Sequence, residues 1–465
     1  FHNEELLYEQ AISKMLVDED LFVTSENRYA LSMLYYAEKR ILDFFQRRKD
    51  EKNRKIIASF DEYLVKKQET LGFQLSPEQK KAVELINNGD KTLFLIGYAG
   101  TGKSTSSRAI LELLEETMSY DDIMTIALSG IASQRIADTT GYNSSTIQSL
   151  LMKHKEKDFF PFKAILLDEA SMVNSVTFYQ IISKIDDDTI FIIVGDDGQL
   201  PAIGAGNVLA DSIKFELAPI CKLTKIYRQS ENQAIAVIAN DIRKGEVPAF
   251  KEDYEDFKFI DVSISNYYSQ KNSVSSNDFA DLRGENSEYI LNNILNISSG
   301  YIEKYYEYIK KKKISKELIL FQVITPMKAG LLGVDNLNIQ LQKLFNHTKG
   351  KAFTSKVYEY KLTDKVIHIK NENMKAQTMS MYKSASTDFL ERRVYNGQLG
   401  LIIKLDFDEE KCIVLYPNDD MVVFYDFDNV HSLLSLAYCL TIHKTQGMED
   451  ENALIPMRFS QYIMH

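Results

Sequence analysis

The segment Gly97-Tyr98-Ala99-Gly100-Thr101-Gly102-Lys103-Ser104 follows the apolar run Leu93 to Ile96 and precedes the helix-like stretch Arg108 to Glu116. It satisfies GxxxxGK[ST] in the strand, loop and helix setting that gives the pattern its meaning. Glycines let successive backbone N–H groups curl around the β- and γ-phosphates of a nucleotide at a helix N-terminus. Lys103 adds a point charge, and the Ser104 hydroxyl can ligate Mg²⁺. Further on, Ala164-Ile165-Leu166-Leu167-Asp168-Glu169 sets two carboxylates at the end of a fully apolar strand, which in an open α/β sheet is the ligand edge. Asp168 would hold the hydrated Mg²⁺ and Glu169 would accept a proton from the attacking water. Taken alone, such a pair is an ordinary helix N-cap with its neighbour; the phosphate loop upstream favours the metal reading. The run Phe191 to Val194 ends in Gly195-Asp196-Asp197-Gly198-Gln199. Gln199 there can sense hydrolysis by bonding to a phosphate that leaves, although the same residues also make an ordinary turn.

These groups need a scaffold, and the pattern supplies one. The runs Leu93 to Ile96, Ile123 to Leu128, Ala164 to Leu167 and Ile190 to Val194 are short and apolar, and longer helical stretches separate them. Strands alternating with helices mean a parallel sheet covered on both faces. Before them, residues 1–70 are rich in Glu, Lys, Leu and Tyr at helical spacing, so a mainly helical N-terminal region is expected. Its charge run Arg47 to Lys55 reads as a solvated helix face. Between Asp261 and Gly300 the chain turns to Ser and Asn, which reads as an exposed excursion or linker. Strand-like sequence resumes at Leu318 to Ile324. From about Thr348 to Asn429, pieces such as Lys365 to Ile369, Leu399 to Lys404 and Met421 to Tyr425 suit a small antiparallel barrel inserted in a second α/β unit. The run Lys310 to Lys313 reads as a solvated helix end.

Composition narrows the function classes. At 465 residues, 45% apolar and 26% charged, the chain is an ordinary multidomain globular protein rather than a fibrous or disordered one. No apolar stretch approaches the span of a membrane and no secretory signal opens the chain, so a soluble, cytoplasmic protein is expected. Cys221, Cys412 and Cys439 lack disulfide or zinc spacing and read as small core residues. A net charge of −11 argues against coating nucleic acid by charge alone but leaves room for a basic channel. The chain opens on Phe1 and stops at His465, which reads as an excerpt of a longer protein.

Together these residues resemble the RecD-like DNA helicases of superfamily one, in the stand-alone branch that moves 5′ to 3′ on single strands. The resemblance covers nearly all of the chain from Leu75 onward. It implies two tandem RecA-like P-loop domains of α/β class, with an SH3-like β-barrel insertion and the helical N-terminal region. The expected boundaries are 1–70, then 71–222 for the first domain with a hairpin insertion at about 151–161, then 223–465 for the second. The barrel is expected at about 348–430, and the second domain is incomplete because its final arginine motif lies beyond the chain end. The implied nucleotide set is Gln79 as the adenine reader, Gly97, Ala99, Gly100, Thr101, Gly102, Lys103, Ser104, Thr105, Arg228 and Gly447. Arg228, in Leu223-Thr224-Lys225-Ile226-Tyr227-Arg228-Gln229, resembles the arginine that reaches the γ-phosphate.

Lys103, Glu169, Gln199 and Arg228 are the implied catalytic residues, with Ser104 and Asp168 on the metal. The implied DNA contacts are Ser129, Gly130, Thr146 and Gln148 in the first domain. In the second they are Pro326, Met327, Lys328, Asn396, Thr441, His443 and Lys444. Gln148 departs from the family, which usually carries His there. ATP and Mg²⁺ are the expected cofactors. Single-stranded DNA and duplex junctions are the expected partners, and the chain is expected to be monomeric. The expected function is an ATP-dependent 5′-to-3′ translocase and helicase in DNA repair or recombination. The alternatives are a P-loop ATPase that switches protein partners and an oligonucleotide-binding scaffold with a vestigial site. In the window Leu151 to Pro161, Phe159 and Phe160 read as loop anchors or, in the minority reading, as a strand-separating wedge.

Overall fold

A computed structural model describes residues 2–25, 28–71, 74–98, 100–225, 234–248, 254–261 and 279–457. The chain divides into two compact units, Phe1–Lys258 and Phe259–His465. The described residues from 223 to 258, expected with the second domain, therefore group with the first.

The first unit opens with α1 (His2–Val17), the hairpin β1 (Leu21–Ser25) and β2 (Arg28–Leu31), α2 (Ser32–Arg48) and α3 (Phe60–Leu71). Then follow α4 (Pro77–Asn87), β3 (Thr92–Gly97), α5 (Lys103–Leu114), β4 (Ile123–Ala127), α6 (Gly130–Thr140), β5 (Ser144–Thr146) and α7 (Ile147–Lys153). The unit closes with β6 (Ala164–Asp168), α8 (Ser175–Ile182), β7 (Ile190–Gly195), α9 (Val208–Lys214), β8 (Ile220–Leu223) and α10 (Ala234–Lys244). Strands β5-β4-β6-β7-β3-β8 form one sheet, and every pairing in it is parallel. The four runs picked out in the sequence are β3, β4, β6 and β7. Because side chains alternate across a strand, each continuous apolar run serves two cores. Phe94, Ile96, Ile165, Leu167, Phe191 and Ile193 face one; Leu93, Leu95, Leu166, Ile190, Ile192 and Val194 face the other.

Helix α2 packs on the first of these faces. Its Phe44 and Phe45 rings lie edge-on or tilted against Phe191, Phe94 and Phe178, with centroids 5.4–6.2 Å apart. The next turn departs from the expected solvated face. Arg48 is only 3% exposed and donates to Thr92 Oγ1 (3.0 Å), to the carbonyls of Asp186 (3.2 Å), Asp187 (2.9 Å) and Lys91 (3.1 Å), and to that of Thr189. An amphipathic helix that ends at the edge of a sheet can satisfy the loop carbonyls there with one fork-shaped cation.

Residues 154–161 contain no strand, so the expected hairpin insertion is absent. α7 ends at Lys153 and a turn carries the chain to β6. Phe160 is buried and Phe159 is 50% exposed. Phe159 lies in an open groove with Pro161, Phe162, Met118 and Ile190, at the amino-terminal edge of the sheet.

The second unit contains α11 (Phe279–Ser299), α12 (Ile302–Lys310), α13 (Ile314–Ile319), β9 (Gln322–Thr325), α14 (Val334–Phe345), β10 (Phe353–Thr354) and β11 (Glu359–Tyr360). It continues with β12 (Lys365–His368), β13 (Glu372–Thr378), α15 (Met379–Lys383), β14 (Leu390–Val394), β15 (Leu399–Asp406), β16 (Lys411–Tyr416) and β17 (Met421–Asp426). The last elements are α16 (Phe427–Leu433), β18 (Leu434–Leu436), β19 (Cys439–Thr441), α17 (Ile442–Thr445) and β20 (Ala453–Leu454). Strands β19-β9-β20 form a parallel sheet, and between β9 and β19 the chain builds a seven-stranded antiparallel sheet, β14-β13-β17-β16-β15-β12-β18.

Two expectations change in this unit. The Ser- and Asn-rich stretch becomes helical from Phe279, where Ile290 and Ile294 supply an apolar face to the core; residues 262–278 of that stretch lie outside the described residues. The run Leu318 to Ile324 also opens in helix, at Leu318 and Ile319, because Leu318 is buried in the last turn of α13 and Leu320 at its C-cap before β9 begins. Lys310 to Lys313 close α12 in solvent, as expected. All three cysteines are buried and free. Among the described residues no helix is long and apolar enough to cross a membrane.

Candidate functional site

Parallel strands with helical crossovers bring their carboxyl ends to one edge, and the sequence has placed its polar groups at the ends of β3, β6 and β7. At the end of β3, Gly100 and Gly102 adopt left-handed φ values of 81° and 85°, a region that glycine enters without steric cost. A Cβ at Gly97 would fall 2.5 Å from Thr101 Oγ1. Only glycine lets the loop close on itself there, with the Thr101 hydroxyl donating to the Tyr98 carbonyl at 2.8 Å. Gly102 caps α5 without a side chain, which leaves the first helical N–H groups for an anion. Lys103 Nζ donates to the carbonyls of Gly97 (2.6 Å) and Tyr98 (3.1 Å). Burial lowers its pKa, opposed by the negative charges of Asp196, Glu169 and Asp168. Ala99 lies outside the described residues.

The carboxylates follow on the neighbouring strands. Burial, then adjacent Glu169, pushes the Asp168 carboxyl up to about 6. Glu169 sits at φ 50°, a left-handed conformation uncommon outside glycine and a recurrent feature of functional sites. Its Oε2 is buried with no hydrogen-bond partner, although a buried carboxylate oxygen normally has one. Gln199 Oε1 accepts from Ser171 Oγ at 3.2 Å, tying the turn after β7 to the turn after β6. Buried Asp196 accepts from the Gly198 N–H at 2.9 Å.

These residues fit a nucleotide with its Mg²⁺: a glycine cradle, a lysine, a hydroxyl and an acid with an unsatisfied neighbour. Among the described residues no group of three or more His, Cys, Asp or Glu could hold a metal ion.

Gln79 is tied to the start of α4 and to the phosphate loop. It is 4% exposed; its Oε1 accepts from the Ser76 N–H (2.9 Å) and its Nε2 reaches the Gly102 carbonyl at 3.5 Å. The amide closes a capping box on α4 and touches the phosphate loop. Next to it, Glu78 accepts from the Thr224 N–H at 2.8 Å and from its hydroxyl, fixing the chain just before the segment that carries Arg228. Arg228 lies outside the described residues.

Of the DNA contacts expected in the first unit, Ser129 and Thr146 use their hydroxyls as N-caps of α6 and α7. Thr146 and Gly130 are buried. Gln148 alone among these four presents an exposed side chain. The capping role follows from the Ser/Thr position just before a helical run.

The second unit brings its expected residues together by register. β9 and β19 pair so that Thr325 lies opposite Thr441, which sets Pro326, Met327 and Lys328 beside His443 and Lys444. Lys328 lowers the pKa of Lys444, secondary to burial, and both residues are exposed. Asn396 is exposed in the β14–β15 turn, where its N–H donates to Asn371 Oδ1 at 2.8 Å. Leu399, just beyond, packs in one small apolar cluster with Leu440 and Met448. Gly447 follows α17 at φ 79°.

One site residue was missed. Arg243, near the end of α10, lies with its guanidinium carbon 3.7 Å from the centre of the Tyr98 ring and its Nη2 3.4 Å from Asp196 Oδ1. Nothing in the surrounding residues distinguishes it from the solvated charges that end many helices.

Residues 74–263 match the model of a family described as an AAA domain. Over 84% of its length the chain is 26% identical to the ATP-dependent RecD2 DNA helicase of Deinococcus radiodurans, of which it covers 46%. It is 24% identical over 95% of its length to the RecBCD enzyme subunit RecD of Buchnera aphidicola subsp. Acyrthosiphon pisum, covering 77% of that protein. A chain from a structural study of DNA unwinding at forked duplex DNA by two coordinating Pif1 helicases aligns over 82% of this chain and 85% of its own, with 18% identity and a TM-score of 0.46. The chain thus spans less than half the length of the RecD2 relative, and RecD-like helicases of superfamily one are what it resembles along most of its own length.

Proposed function

Starting from that likeness to RecD-like superfamily one helicases, we propose that this chain is the motor portion of an ATP-dependent DNA helicase that translocates 5′ to 3′ on single-stranded DNA. The observation that carries the reading is the convergence of Lys103, Asp168, Glu169 and Gln199 on the carboxyl ends of neighbouring parallel strands. The glycine loop and the α5 N-terminus seat the β- and γ-phosphates, with Lys103 exchanging two backbone carbonyls for phosphate oxygens. Ser104 and Asp168 would hold Mg²⁺, which when bound neutralises charge on the phosphates. Glu169 takes a proton from water at its unpartnered Oε2. Gln199, anchored to Ser171, changes partner when the γ-phosphate leaves and so carries the nucleotide state to the turn after β6.

In this reading the two units are tandem RecA-like domains, and the antiparallel sheet between β9 and β19 is an SH3-like barrel. Gln148 is the DNA contact of the first unit, and Lys328, Asn396, His443 and Lys444 are those of the second. The likeness alone assigns Arg228 to the γ-phosphate, and repair or recombination is the proposed setting. The test is steady-state ATP hydrolysis by the full chain with and without single-stranded oligonucleotide, and unwinding of a duplex with a 5′ or a 3′ tail. Hydrolysis that rises with the oligonucleotide, and unwinding that needs the 5′ tail, are expected. DNA-independent hydrolysis would favour a partner-switching ATPase.

A further inference from the structure

The phosphate loop after β3 and the turn after β7 are bridged by one side chain from a distant helix. Arg243 lays its guanidinium on the Tyr98 ring at 3.7 Å and directs Nη2 toward Asp196 Oδ1 at 3.4 Å. It also packs on the backbone of Gly198, where an added Cβ would fall 1.9 Å from its Nε. Asp196 is also the acid whose negative charge acts most strongly on Lys103. Gln199 is the residue after Gly198. The guanidinium is therefore held beside the phosphate loop by a ring and a single long ion pair. Both partners can be exchanged for a phosphate, because an arginine's planar fork matches two phosphate oxygens better than one oxygen at 3.4 Å.

We propose that Arg243 reads the terminal phosphate: it rests on Tyr98 and Asp196 until a nucleoside triphosphate is bound, then turns to the γ-phosphate, so that the site prefers triphosphate to diphosphate. The inference rests on the nucleotide-site reading and adds a specificity residue to it. Because Arg243 sits on α10, the same exchange passes the nucleotide state into that helix.

The test measures the affinities of ADP and of the non-hydrolysable triphosphate AMP-PNP, each with Mg²⁺, by titration calorimetry on the full chain and its variants. One charge-assisted contact to phosphate makes Arg243→Ala weaken AMP-PNP by roughly 10- to 100-fold, with ADP changed by less than about twofold. Gly198→Ala, which keeps the arginine but displaces its guanidinium, gives a loss of the same kind, and Arg243→Lys a smaller one. An equal loss for both nucleotides, or none for AMP-PNP, would mean that Arg243 only anchors α10 and overturns the inference while the nucleotide site stands. If the unaltered chain binds neither nucleotide, both readings fall.

Discussion

Replacing Arg48 by Met keeps the length and packing of the stem and removes every donor, so it isolates what the guanidinium contributes. Five acceptors lose a partner. The carbonyls of Asp186 and Asp187 are partly exposed and recover water, leaving Thr92 Oγ1 and the carbonyls of Lys91 and Thr189 to count. At about 1–1.5 kcal/mol for each buried group left unsatisfied, the loss is roughly 3–5 kcal/mol. Burial lowers the Arg48 pKa to about 10, opposed by Asp187 and Glu51, so the group stays charged at neutral pH and the loss does not vary between pH 6 and 8. For a unit of 258 residues, at ~2 °C per kcal/mol, the melting temperature of the first unit falls by roughly 6–10 °C. Differential scanning calorimetry reads this directly. Arg47→Met is the control: its ion pair with Asp187 spans 3.7 Å between side chains more than 60% exposed and contributes little. A drop below about 2 °C for Arg48→Met, or an equal drop for Arg47→Met, would refute the claim that this arginine clamps α2 to the sheet edge.

Lys103→Ala abolishes hydrolysis with the melting temperature unchanged, and Glu169→Gln keeps ATP binding while turnover falls roughly 10²- to 10⁴-fold; single-turnover and binding measurements separate the two. Asp168 titrates at about 6 in the folded chain against an ordinary 3.8, so the folded state holds the extra proton between those values and stability falls as pH rises through that window. Asp168→Asn therefore melts together with the parent at pH 4 and roughly 2–5 °C above it at pH 7, after allowance for screening at a partly exposed carboxylate; equal melting at both pH values would sink this. Phe160→Ala lowers stability by roughly 3–5 kcal/mol, whereas Phe159→Ala leaves stability and DNA-stimulated hydrolysis intact. A specific loss of duplex unwinding in Phe159→Ala would make that ring the wedge, and unaltered unwinding would remove it from the mechanism.

The phosphate loop and its sheet were legible because their signals are local. Continuous apolar runs with period-two sharing between faces define β3, β4, β6 and β7, and a glycine-rich turn between strand and helix carries its own conformational logic at Gly100 and Gly102. Asp168, Glu169 and Gln199 followed, since residues that end parallel strands must share an edge. The pairing of Lys328 with Lys444 needed one step more, the register of β9 with β19.

What the chain left open depends on partners far away in sequence. Arg48 sits in a run of charges whose local pattern describes a solvated face, and only Thr92 Oγ1 with the carbonyls of Lys91, Asp186, Asp187 and Thr189 makes burial favourable. Ser129 and Thr146 have the residue types of a polar contact surface, yet each hydroxyl satisfies a helix N–H that would otherwise have no partner. Phe159 and Phe160 are identical side chains in adjacent positions; the turn out of α7 turns one inward and leaves the other exposed. Arg243 is the clearest case. Composition and helical phase make it a solvated helix end, and the tertiary fold alone sets it on Tyr98 and Asp196, because a contact between a helix and two separate loops exists only after all three have been brought to the same sheet edge.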